Sequence, residues 1–262
     1  MNSEIDSLTL GFVKYLEKLP CICNVTVVEK EPVDKVTITS WEQRNACILP
    51  IDVKAFYLAT DGMQIRWSMK LKEEAVPVGM IEINSMGKLR RVTPKMASMH
   101  SGLPTLTDIE SDSESSTSSE RNLLGEQATK PKYSNKCKVF LLDSCQGNGK
   151  VCLVYPVKED TIEPISTTVP TVWFLDRALE WHYLASTMTS YLRLSLVHLG
   201  LPQWQYTLTP WGLPTRAKQL MSIFVPERLT IDILGRFESS SHSSCAINGK
   251  YRPSGGTRYK KV

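Results

Sequence analysis

With 262 residues, 42% of them hydrophobic, the chain is long enough to bury one sizeable core. Its 31 Lys+Arg against 27 Asp+Glu leave a formal net charge of +4, too mild to mark a nucleic-acid binder. Seven cysteines, an odd number without the density of a disulfide scaffold, fit a reducing compartment, and several lie inside apolar runs where a thiol acts as a small hydrophobe.

The N-terminus carries Asn2, Ser3, Glu4 and Asp6 and lacks the basic and apolar regions of a secretory signal, so a cytosolic chain is expected. Ile5, Leu8, Phe12, Leu16 and Leu19 fall on one face of a helix that Pro20 stops. Ser40 with Gln43 reads as a capping box for a short helix through Trp41 to about Cys47. Pro50 opens a third helix, with Val53, Phe56, Tyr57 and Thr60 on one face, and Asp61-Gly62 ends it.

Met63, Ile65, Trp67, Met69 and Leu71 then alternate with polar residues, the pattern of a half-buried strand. A hairpin connection at 72–75 leads to a second strand over 76–83, whose Pro77 points to an edge or a strand start. Further strands are expected over 138–142 and 151–155, flanking a turn with Gly147, Asn148 and Gly149, and over 172–175. Asp176 is read as the N-cap of one long closing helix that stops at Gly200 and Pro202. The stretch 178–199 is the best apolar candidate for a membrane span, but Glu180, His182, Arg193 and His198 within it exclude one.

The expected fold is α+β: N-terminal helices, an antiparallel meander sheet and a long closing helix, in a single domain over 1–235. An acidic Ser/Thr-rich insertion over about 99–136 has too little apolar content to order itself, and 236–262 reads as a disordered basic tail with Lys250, Arg252, Arg258, Lys260 and Lys261. In the insertion Thr107, Ser111 and Thr117 each precede an acid by three residues, the arrangement acid-directed kinases prefer. The basic tail is a candidate arm for an acidic partner.

Motifs for chemistry are weak. Lys150 leads into a strand, so Gly147-Asn148-Gly149-Lys150 is a hairpin turn and not a phosphate loop. Cys21 and Cys23, and Cys137, Cys145 and Cys152, lack paired zinc-ligand spacing. His182 and His198 are sixteen apart and read as structural, and no catalytic residue, cofactor or metal is expected. Most of the clustered aromatics read as core, the favoured reading, but Trp204 and Trp211 follow the closing helix in a proline-rich stretch and are the candidate partner anchors.

Leu49-Pro50-Ile51-Asp52, Phe56-Tyr57, Asp61-Gly62 and Gly79-Met80-Ile81 resemble the SUKH superfamily. Closer still, Trp41-Glu42-Gln43, Asp143-Ser144-Cys145 with Gly147 through Tyr155, Trp173-Phe174-Leu175-Asp176-Arg177, and Gly200-Leu201-Pro202 with Trp204-Gln205-Tyr206 resemble the family of second subunits of tubulin polyglutamylase complexes. That resemblance spans about 3–206 and implies a non-catalytic scaffold or targeting subunit. Its implied partners are the other subunits, including a tubulin ligase-like catalytic one, and by extension tubulin or microtubules, with no nucleic acid and no membrane. The implied places are the cytoplasm and cytoskeleton, centriolar satellites and the ciliary base. The alternative is a stand-alone SUKH-like module that sequesters or regulates a protein partner.

Overall fold

A computed structural model of the chain describes residues 8–92, 119–121, 127–131, 137–156 and 169–244, leaving aside the side chains of 119–121, 127–129 and 236–244. Within them the fold is α+β: two larger antiparallel sheets with helices packed against them, and a separate two-stranded antiparallel ribbon.

Ile5 lies outside the described residues, and from Leu8 on the expected N-terminal helix is interrupted rather than continuous. Leu8 and Thr9 are helical, but Leu10 and Gly11 take φ of 52° and 72°, and α1 (Phe12–Glu17) starts afresh after them. Gly11 accepts the left-handed conformation without a Cβ clash, which is why the break falls there. The chain then enters β1 (Ile22–Val28), a strand the sequence reading did not foresee. Helix α2 (Lys35–Asn45) begins before Ser40, because Asp34 is the cap: its carboxylate accepts from Thr37 N at 2.8 Å. Helix α3 (Ile51–Ala59) opens after Pro50 as expected, and Gly62 follows it at φ 84°.

Strand β2 (Met63–Leu71) pairs with β1 on one side and β3 (Glu74–Ile83) on the other, so β3 lies at the sheet edge. Met63, Ile65 and Trp67 point into the core. Register shifts where Trp67 faces Gly79 but Ser68 faces Pro77, leaving Val78 as the extra residue. A proline beside such a bulge on an edge strand costs the ladder little, since it has no N–H to donate.

The second sheet runs in the order β6 (Lys138–Asp143), β7 (Lys150–Tyr155), β8 (Thr171–Leu175) and β9 (Trp181–Ala185). Here the long closing helix is corrected. Asp176 caps no helix; its Oδ1 accepts from Glu180 N at 2.9 Å and closes a hairpin turn, with Leu179 at φ 65°. Every residue of β9 is buried. Trp181 and Tyr183 join one apolar cluster and Leu184 and Ala185 the other, so the strand is covered on both faces and shows no polar alternation. The closing helix is therefore α4 (Met188–Val197), capped by Thr187, whose hydroxyl accepts from Ser190 N.

The two sheets meet where Asn84 N donates to Leu142 O at 2.8 Å. Buried polar tips pin the helices to this frame: Trp41 Nε1 donates to Leu89 O, Tyr57 OH to Asn84 O and Tyr155 OH to Ile48 O. After α4 come a 3₁₀ segment (Trp204–Leu208), α5 (Thr215–Phe224) and α6 (Pro226–Ser244). Helix α6 reaches into the stretch read as tail, and 245–262 lies outside the described residues. So does most of 99–136, within which β4 (Ser119–Arg121) pairs with β5 (Gln127–Thr129).

Candidate functional site

Two turns built from unusual backbone conformations face each other at one end of the second sheet. The β6–β7 turn holds Cys145 and Gln146 at φ 46° and 53°, and the segment after α4 holds Leu199 and Gln203 at 54° and 61°. Left-handed conformations at non-glycine residues are costly and persist only where surrounding contacts fix them. The contacts here are polar: Gln203 Nε2 donates to Asn148 Oδ1 at 2.9 Å, Tyr206 OH to Asn148 O at 3.0 Å, and Gln205 Nε2 lies 3.5 Å from Cys145 Sγ.

Asp143 sits beneath this seam. Its Oδ1 accepts from Cys145 N at 2.8 Å and its Oδ2 from Tyr191 OH at 3.3 Å. Burial pushes its carboxyl up to about 6; the charge of Glu82 adds to the rise, while the Cys145 N–H and Tyr191 hydroxyl oppose it. Burial likewise drives the Cys145 thiol well above its ordinary value, which disfavours the thiolate. Glu82, Asp143, Asn148, Gln203, Trp204 and Gln205 border a small open cleft of about 20 Å³, room for about one water.

Two histidines are also fixed by carboxylates. His198, fully buried, has Nδ1 2.7 Å from Leu194 O and Nε2 2.8 Å from Asp232 Oδ2, with Arg228 on the other carboxylate oxygen. Its ring stacks on Trp204 with centroids 4.6 Å apart. His182 Nε2 lies 3.1 Å from Asp176 Oδ2. Burial works to raise the Asp176 carboxyl, but the His182 hydrogen bond and backbone N–H donors outweigh it and hold the group below its ordinary value.

Of the residues proposed from sequence as partner anchors, Trp204 is interior, 3% exposed, and its indole serves the His198 stack. Trp211 is 70% exposed, and Ile223, Ile231 and Leu234 of the following helices are also exposed. Lys250, Arg252, Arg258, Lys260 and Lys261, and Thr107, Ser111 and Thr117, lie outside the described residues.

The two turns of the polar seam are Asp143-Ser144-Cys145 with Gly147-Asn148-Gly149, and Gly200-Leu201-Pro202 with Trp204-Gln205-Tyr206, which carried the closer resemblance. A whole-chain comparison agrees. The chain is 41% identical over 222 residues to rat tubulin polyglutamylase complex subunit 2, covering 85% of this chain and 72% of that one. The mouse protein of the same name matches equally, and the human one is 43% identical over 230 residues, covering 88% and 73%. The chain belongs to the tubulin polyglutamylase complex subunit 2 family. No family model matches it, and no solved structure matches it.

For this member of the subunit 2 family, the residues that sequence reasoning missed are the carboxylates. Asp143, Asp176 and Asp232 are all buried, and each is matched to a hydroxyl or imidazole far along the chain or across a turn. Only the Asp176–His182 spacing across a tight hairpin was open to detection, and reading that stretch as helix hid it. Among the described residues no helix is long and apolar enough to cross a membrane.

Proposed function

We propose that this chain is a non-catalytic scaffold or targeting subunit of a tubulin polyglutamylase complex, supporting glutamate addition to tubulin tails by a ligase-type partner. The folded domain docks to other subunits in the cytoplasm, on the cytoskeleton, at centriolar satellites or the centrosome and at the ciliary base. The carrying observation is that the relatives at 41–43% identity are named as subunits of that complex. A second support is internal: the perturbed carboxyl and thiol of the polar seam are held by hydrogen bonds and burial. Exposed Trp211 is the anchor proposed for a neighbouring subunit, since a solvent-facing indole next to a well-ordered core is what interfaces bury most profitably.

The test is affinity purification of tagged chain from ciliated cells, with mass spectrometry and a glutamylation assay on the eluate. A ligase-like subunit and activity in the eluate, with none from the recombinant chain alone, are expected. Activity from the pure chain would overturn the non-catalytic role, and recovery of the chain alone would overturn the subunit role.

A further inference from the structure

The turn between β8 and β9 gathers a third group of side chains. Phe174 pairs with His182 and Leu175 with Trp181, so Asp176 and Glu180 stand opposite each other one step further along. With the side-chain period of two, Phe174, Asp176, Glu180 and His182 project from the same face of the hairpin. One donor atom from each of Asp176, Glu180 and His182 lies within 4.8 Å of the other two.

We propose that Asp176, Glu180 and His182 form a binding site for a first-row divalent cation such as Zn²⁺. Two carboxylate oxygens and one imidazole nitrogen are a donor set that such ions take, with the fourth position left to water. Metal–ligand bonds of about 2.0–2.1 Å at a tetrahedral angle place two ligand atoms about 3.3 Å apart. The Asp176 Oδ2 to His182 Nε2 separation is already 3.1 Å, so an ion replaces the hydrogen the pair now shares, with little movement of either buried side chain. Glu180 is half-buried at the open end of the turn and holds its place through its backbone, whose N–H meets Asp176 Oδ1 and whose carbonyl accepts from Asp176 N. Its carboxylate is thus free to turn inward and complete the set.

Charge points the same way. The two carboxylates carry a charge of about −2, and among the described residues neither has a Lys or Arg ion-pair partner. A divalent ion balances that charge, and the imidazole hydrogen sits on Nδ1 when Nε2 binds the ion, so His182 stays neutral.

Full-length chain stripped with a chelator and titrated with Co²⁺ tests the site, because the visible d–d bands report tetrahedral geometry and near-ultraviolet charge-transfer bands report thiolate ligands. The expected result is one equivalent bound with d–d bands and no thiolate band, displaced by Zn²⁺, and a Zn²⁺-dependent rise in thermal midpoint. Glu180→Gln, at a half-buried position, should leave the metal-free midpoint unchanged and weaken binding about tenfold or more. No binding, a thiolate band showing that the ion sits on cysteines, or unchanged affinity in Glu180→Gln would each overturn the assignment.

Discussion

Trp67 lies so close over Gly79 that a Cβ added to the glycine would stand 1.9 Å from its indole Nε1. The indole has nowhere to go. Its N–H donates to Leu199 O at 2.8 Å and its ring meets Phe224 edge-on with centroids 4.9 Å apart. Next along, Met80 N donates to Gly200 O, and a Cβ on Gly200 would fall 2.6 Å from Ile81 Cγ1. The β3 edge is therefore pressed against the corner that leads into the polar seam. Gly79→Ala is expected to destabilise the fold by about 1–3 kcal/mol, the usual cost of overpacking. A urea-denaturation midpoint equal to that of the parent chain would show that the indole can yield.

Asp143 makes stability depend on pH in a direction opposite to that of a salt-bridged carboxylate. Its folded-state value of about 6 exceeds the ordinary 3.8, so the folded chain holds the proton more tightly than the unfolded one. The group's favourable contribution is complete below about pH 4 and is lost as pH rises through about 6; above that the buried carboxylate costs on the order of 3 kcal/mol. Asp143→Asn keeps an acceptor for Cys145 N, turns its amide N–H toward the Tyr191 hydroxyl oxygen as a donor, and removes the titration. Denaturation midpoints measured across that window should fall for the parent and stay flatter for the variant, which should be the more stable of the two at neutral pH. Parallel curves would exclude Asp143 as the titrating group.

That carboxylate also marks where the sequence stops being legible. Strand β2 was readable because one face is wet: Gln64 and Arg66 alternate with buried Ile65 and Trp67. Strands β7 to β9 are covered on both faces, so nothing in 181–185 separates a strand from a helix, and the hairpin at Asp176 was taken for a helix cap. Helix α2 was placed late because Ser40 and Gln43 have capping-box spacing, yet Asp34 holds the free Thr37 N–H. The polar seam joins Asn148 to Gln203 and Tyr206, more than fifty residues apart, a relation set by tertiary packing alone.

The His198–Asp232 pair welds α6 to α4 in the interior, both side chains being fully buried. Removing Asp232 leaves buried His198 Nε2 and the facing Arg228 without their acceptor, and Asp232→Ala should cost about 3–5 kcal/mol. The loss should be cooperative with Trp204, since the imidazole lies flat on that indole. In a double-mutant cycle, Asp232→Ala and Trp204→Phe are expected to be non-additive by about 0.5 kcal/mol or more. Strict additivity would mean that the stack and the ion pair act independently.

Trp211 separates docking from folding. Because the indole is exposed, Trp211→Ala should leave the thermal midpoint within about 1 °C of the parent, as for surface substitutions generally. If it anchors another subunit, the same change should weaken co-purification of the complex by about thirtyfold, the equivalent of about 2 kcal/mol. Undiminished recovery of the complex would remove Trp211 from the interface.

The proposed contact between the basic tail and tubulin is tested separately. Lys250, Arg252, Arg258, Lys260 and Lys261 stand among no acids, and a peptide tail to which glutamates are added gains negative charge for such an arm to attract. Truncation after Ser244 keeps the whole of α6 and removes all five of these charges. Attraction of this kind is screened over about 8 Å at physiological ionic strength, so the parent's advantage over the truncated chain in microtubule pelleting should be large in dilute salt and shrink as salt is raised. The thermal midpoints of the two chains should coincide. Equal pelleting at low salt would exclude the tail, and an advantage indifferent to salt would mean that contact is made through apolar groups instead.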